Sequence, residues 1–137
     1  MCLREAAPSQ EKQRSQWMSG VLILLVITLG LASRHYGQHW SYGLNNHPGD
    51  VLWALMIFYV WSFIKPAATT VFLAKVSLLT CFLVEFSQLL ETPLLNAIRL
   101  TVWGRLVLGS SFSWTDMAAY TIGVTVGVLL DRWRLAR

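Results

Sequence analysis

The sequence predicts an all-α integral membrane protein: a four-helix bundle with a short interfacial or re-entrant helix between helices three and four. Three observations predict it. Hydrophobic residues fill 55% of the 137 positions and charged residues only 13%, whereas a soluble domain carries about a quarter charged residues. Mean hydropathy is +0.49. Four apolar stretches occupy most of the chain, and acidic and polar groups gather at one end of the second, third and fourth.

The elements follow in order. Residues 1–16 are polar and read as a cytoplasmic leader. Span one covers Trp17 to Ser33, near the lower limit of the about 17–25 residues that a crossing needs. A cleaved signal peptide is the competing reading, because the run ends in Gly30-Leu31-Ala32-Ser33; the long polar leader and apolar remainder favour a retained helix. The loop from Arg34 to Gly49 is aromatic and His-rich, with Tyr36, Trp40 and Tyr42 suited to headgroup depth. Span two runs from Pro48 to Ile64, with Pro48 in the first turn and Asn46 or His47 as cap; Lys65-Pro66 ends it. Span three runs from Ala67 to Leu90. Lys75 lies eight residues in, roughly 12 Å from the start, within reach of snorkelling. Glu91-Thr92-Pro93 closes the span.

In the next stretch Leu94, Ile98, Val102 and Leu106 repeat at helical spacing, interrupted by Arg99, Gly104 and Arg105. That pattern fits the interfacial or re-entrant helix. Gly109-Ser110-Ser111 breaks the chain, and span four runs from Trp114 to Leu130. Residues 131–137 form a basic cytoplasmic tail, so 17–130 is a single transmembrane helical domain. With the N-terminus inside, Arg4, Lys12, Arg14, Lys65, Arg132, Arg134 and Arg137 are cytoplasmic, against Arg34, Arg99 and Arg105 outside. The positive-inside rule then places both termini in the cytoplasm.

Several function classes drop out. No CxxC, HExxH, Walker or GxGxxG pattern occurs. Cys2 and Cys81 build no disulfide framework. The net charge of +4 is explained by basic termini and needs no nucleic-acid partner. No cofactor is expected. Among His35, His39 and His47, Gly37 and Gly43 argue against a regular helix, so solvated loop histidines are expected and no metal.

Ionisable groups at membrane depth are default candidates for function. Glu85 and Gln88 share a face of span three with Ser77 and Cys81, and that face should point into the bundle. Glu85 lies late in its helix, where the dipole disfavours an anion. It is the candidate acid or base, with Arg105 or Arg99 as its expected cation. Asp116, Tyr120, Gly123 and Gly127 form a stripe on span four, where Gly-x-x-x-Gly admits a close helix. Asp50 and Trp53 begin a stripe on span two. Asp50 also fits as a helix-start residue, and Ser113 to Asp116 reads as a capping box.

In order, Gly49-Asp50-x-x-Trp53-Ala54, Glu85-x-x-Gln88 and Arg105-Leu-Val-Leu-Gly-Ser-x-Phe-x-Trp114-x-Asp116-x-x-Ala119-Tyr120-x-x-Gly123 resemble an uncharacterised family of small bacterial membrane proteins, domain of unknown function 2809. The Glu-x-x-Gln helix, following Arg and Asp opening a Gly-containing last helix are also similar to VanZ-like proteins, a family linked to glycopeptide resistance and the cell envelope. This chain has Tyr120 where that family usually places Asn, and Asp50 where it commonly carries His. The resemblance implies a bacterial inner-membrane protein with a cell-envelope role.

The expected function is an outward-facing polar pocket for a lipid headgroup or lipid-linked precursor. Its ligand-binding residues are Asp50, Trp53, Glu85, Gln88, Arg99, Arg105, Asp116 and Tyr120, with Arg105 and Arg99 on phosphate. An enzyme on lipid-linked substrates with Glu85 as general acid or base, an ion- or proton-coupled transport element, and a purely structural cluster are the alternatives. Membrane lipids are the expected partners, with a second copy or another membrane protein left open.

Overall fold

A computed structural model describes residues 13–36, 47–109 and 111–137. Most of the polar leader, the loop residues His39, Trp40 and Tyr42, the cap candidate Asn46 and the breaker Ser110 lie outside the described residues. All described secondary structure is helical: α1 (Gln16–Tyr36), α2 (His47–Ile64), α3 (Thr70–Ser87), α4 (Pro93–Leu100), α5 (Val102–Leu108) and α6 (Trp114–Ala136). α1, α2 and α3 each hold an 18-residue window long and apolar enough to cross a membrane. α6, at 23 residues, is long enough but less apolar, carrying four charged residues among its Thr and Gly positions.

α2 is the central helix. It packs against α1, α3 and α6, and α3 also packs against α6. The core lies where α2, α3 and α6 meet, around Phe58, Tyr59, Leu73, Cys81, Tyr120 and Val124. The outward faces carry exposed Leu, Ile, Val, Phe and Trp side chains, the surface a hydrocarbon solvent calls for.

Gly123 and Gly127 set the approach of α6 to α2. A Cβ on Gly123 would lie 2.3 Å from the Val51 carbonyl oxygen, and one on Gly127 would lie 2.8 Å from the Phe58 ring. Small residues thus let the two backbones touch, as the spacing predicts.

Three sequence expectations change. Span three is shorter at both ends. Thr69 is its cap, its hydroxyl accepting from the Phe72 N–H, and after Ser87 the chain tightens into i→i−3 bonds from Gln88, Leu89 and Leu90. Thr92, expected to close span three, instead caps α4 by accepting from the Leu95 N–H. The single short helix is in fact two: Thr101 takes an extended backbone, with ψ 152°, and its side chain accepts from the Gly104 N–H to start α5. Finally, α6 runs past Leu130 to Ala136, so most of the expected basic tail is helix.

Candidate functional site

The described polar groups collect at two ends. One end holds the start of α1, the α2–α3 turn and the last turns of α6. The other holds the starts of α2 and α6, the end of α3, and α4 and α5.

Glu85 centres the second end. Ser77, Cys81 and Glu85 are all fully buried, so the polar stripe of α3 faces inward as its spacing predicts. One carboxylate oxygen accepts from the Ser113 backbone N–H at 2.7 Å. The other accepts from the Tyr120 hydroxyl at 2.9 Å. Arg105 is exposed and forms no ion pair with Glu85, so the expected cation is replaced by these two donors.

The same contact overturns the expected capping box. In that motif the first-turn side chain accepts from the cap residue's N–H. Here the Ser113 N–H goes to Glu85, and the Ser113 hydroxyl meets the Thr115 hydroxyl at 2.6 Å rather than capping α6. Glu85 therefore caps α6 from a neighbouring helix. An anion disfavoured by the dipole of its own helix is stabilised at the positive end of another.

Two other expected residues are engaged with backbone. The Gln88 side-chain amide donates to the Leu108 carbonyl at 2.7 Å, tying α5 to α3. Arg99 donates to the carbonyls of Ser87 and Leu90 and to Asn96, satisfying the open C-terminal end of α3. Trp53 is half-buried and lines an apolar groove of about 270 Å³ between α1, α2 and α5, with Leu31, Met56, Trp103 and Leu106 among its walls. Arg105 sits in α5 next to Leu106 and is the expected site arginine left exposed.

Asp50 and Asp116 do come together. Their carboxylates and the His47 ring lie with their ligand atoms within 4.8 Å of one another, all three half-buried. The sequence pairs His47 with His35 and His39. In the structure His35 lies in the last turn of α1, exposed and edge-to-face with Tyr36, while His39 lies outside the described residues.

The opposite end holds a site that sequence reading misses. The Arg14 guanidinium reaches Asp131 through two bonds, 2.7 Å and 2.6 Å. It also donates to the Thr70 hydroxyl at 2.8 Å and to the carbonyls of Pro66 and Ala68. Thr70 donates to Asp131 at 2.7 Å. Asp131 is fully buried and Arg14 is 7% exposed. A signal for Asp131 was present: extending the stripe Asp116, Tyr120, Gly123, Gly127 by one further turn reaches it. No comparable signal marks Arg14.

These contacts separate two substitutions. Glu85→Leu leaves the Ser113 N–H and Tyr120 hydroxyl without acceptors and is expected to cost about 1–3 kcal/mol for each stranded donor. Arg105→Leu removes an exposed group and should stay within about 0.5 kcal/mol of wild type. Thermal unfolding in detergent compares them; equal losses would mean that Arg105 supports Glu85 after all.

Residues 40–124, more than half of the chain, match the family model described as Protein of unknown function (DUF2809). No solved structure matches the chain.

Proposed function

The chain belongs to the DUF2809 family, and we propose that it is a small membrane protein that binds a phosphate-bearing lipid, headgroup at Arg105 and tail along the groove beside it. The observation that carries this reading is the apolar groove walled by α1, α2 and α5, with an exposed arginine in the helix that forms one wall. A lipid needs both parts: an apolar channel for the chain and a cation for the phosphate. The guanidinium can engage phosphate oxygens at two points, which an ammonium cannot copy. Arg99, bound to the end of α3, positions α4 rather than the ligand. Glu85, Gln88 and Tyr120 hold α5 and the start of α6 in place, and Trp53 lines the tail channel.

The test is mass spectrometry of lipids carried through purification. Wild type should retain anionic lipid. Arg105→Lys should keep the fold and retain less of it, and Met56→Trp, which fills the groove, should retain less lipid of every class. If all three carry the same lipids in the same amounts, the binding role fails.

The reading includes α6 as a fourth crossing of a bacterial inner membrane, with both ends of the chain in the cytoplasm. Its length, its packing against α2 and α3 and the excess of basic residues at both ends support it. Reporter fusions at residue 137 and near residue 45 should fall on opposite sides of the membrane; the same side would refute it. The likeness of its motifs to VanZ-like proteins favours a role in the cell envelope.

A further inference from the structure

We propose that His47, Asp50 and Asp116 form a binding site for a divalent transition-metal ion, for which Zn²⁺ is the probe. The inference is independent of the lipid reading. The three residues come from two helices, His47 and Asp50 from the first turn of α2 and Asp116 from the first turn of α6. One ligand atom from each lies within 4.8 Å of the other two. Around a tetrahedral ion with bonds of about 2.0–2.2 Å, donor atoms sit roughly 3.4 Å apart. The widest separation therefore needs to close by little more than about 1 Å, which side-chain torsions can supply.

The two helices hold the donors in register. α2 and α6 leave this end side by side, with Gly123 against the Val51 carbonyl and Ala54. Asp116 stands two turns before Gly123, and Asp50 directly precedes Val51. The backbones cannot separate here without losing that contact, so the site is preorganised rather than assembled by an ion.

The chemistry of the donors selects the ion. One imidazole nitrogen with two carboxylate oxygens is a mixed set suited to Zn²⁺, Mn²⁺ or Fe²⁺, whereas Mg²⁺ and Ca²⁺ favour oxygen alone. Two helix N-termini carry partial positive charge and disfavour a cation. The two carboxylates offset these dipoles. Asp116 pairs with no arginine or lysine among the described residues. A groove of about 410 Å³, lined by His47, Pro48, Val51 and Thr115 among others, opens beside the cluster. Of the three donors only His47 lines it, so the groove reaches the cluster on the imidazole side.

The competing arrangement is a cluster in which the three side chains bond to one another with no metal, and the experiment separates the two. Protein without a histidine tag is purified in detergent, stripped with chelator and titrated with Zn²⁺, with bound metal counted by elemental mass spectrometry. The expected result is one Zn²⁺ per chain. His47→Gln and Asp116→Asn should each weaken binding at least about tenfold, the lower end of what even outer-shell partners cost. His35→Gln should bind like wild type. Helical circular dichroism checks the fold of each variant. His47→Gln keeps both carboxylates in place, so it remains informative should Asp116→Asn unfold. The proposal is overturned if wild type binds no stoichiometric Zn²⁺, if His47→Gln binds as wild type does, or if equimolar Ca²⁺ displaces the Zn²⁺.

Discussion

Replacing Arg14 with Leu is expected to lower the stability of the protein by about 3–5 kcal/mol, the usual cost of stranding a buried charge. Asp131 is fully buried and its carboxylate would keep only the Thr70 hydroxyl. The Ala68 carbonyl would also lose its guanidinium donor, while the Pro66 carbonyl keeps the backbone N–H of residue 14. Thermal unfolding in detergent reads the loss. The double variant Arg14→Met with Asp131→Leu should recover much of it, because no charge is then buried alone. A double variant no more stable than Arg14→Leu would show that the loss comes from packing of the arginine stem and not from the orphaned carboxylate.

Gly123→Ala should be the second severe change. Its Cβ would stand 2.3 Å from the Val51 oxygen and 2.8 Å from the Ala54 Cβ, and the first is backbone that no rotamer change can move. α2 and α6 must part, and overpacking of this kind costs about 1–3 kcal/mol. Gly30→Ala is the control: nothing lies within 4 Å of the added atom, so the better helix propensity of Ala should make it neutral or stabilising by up to about 1 kcal/mol. Comparing their unfolding midpoints decides. Equal midpoints would mean that the α2–α6 contact is looser than the structure shows.

Much of this arrangement was legible in the sequence. Apolar length exposed α1, α2 and α3, because a hydrocarbon solvent leaves so few compositional options. Fourfold spacing turned Ser77, Cys81 and Glu85 inward, and the Gly123–Gly127 pair announced a close helix. What stayed hidden was the identity of partners. Glu85 bonds to the backbone N–H of Ser113, a group every residue but proline carries, so no residue type could point to it. Arg14 and Asp131 are 117 positions apart, and each reads locally as an ordinary flanking charge. The break at Thr101 was readable in principle: Thr92 and Thr101 each stand where a cap belongs, but the run of apolar residues on both sides of Thr101 suggested one helix.

The Arg14 pair also fixes an order of assembly. Pro66, Ala68 and Thr70 precede Asp131 by some 60 positions in the chain, so the early-made partners of Arg14 are two carbonyls and a hydroxyl, all uncharged. The guanidinium meets its counter-charge only when the far end of α6 arrives, after every other helix has been made. Until then α1 is held to the growing protein by α2 alone, and the cation must keep its water. Closure of the pair thus works as a latch: it rewards docking of the last helix and leaves any chain that stalls earlier with a charge it has no means to bury.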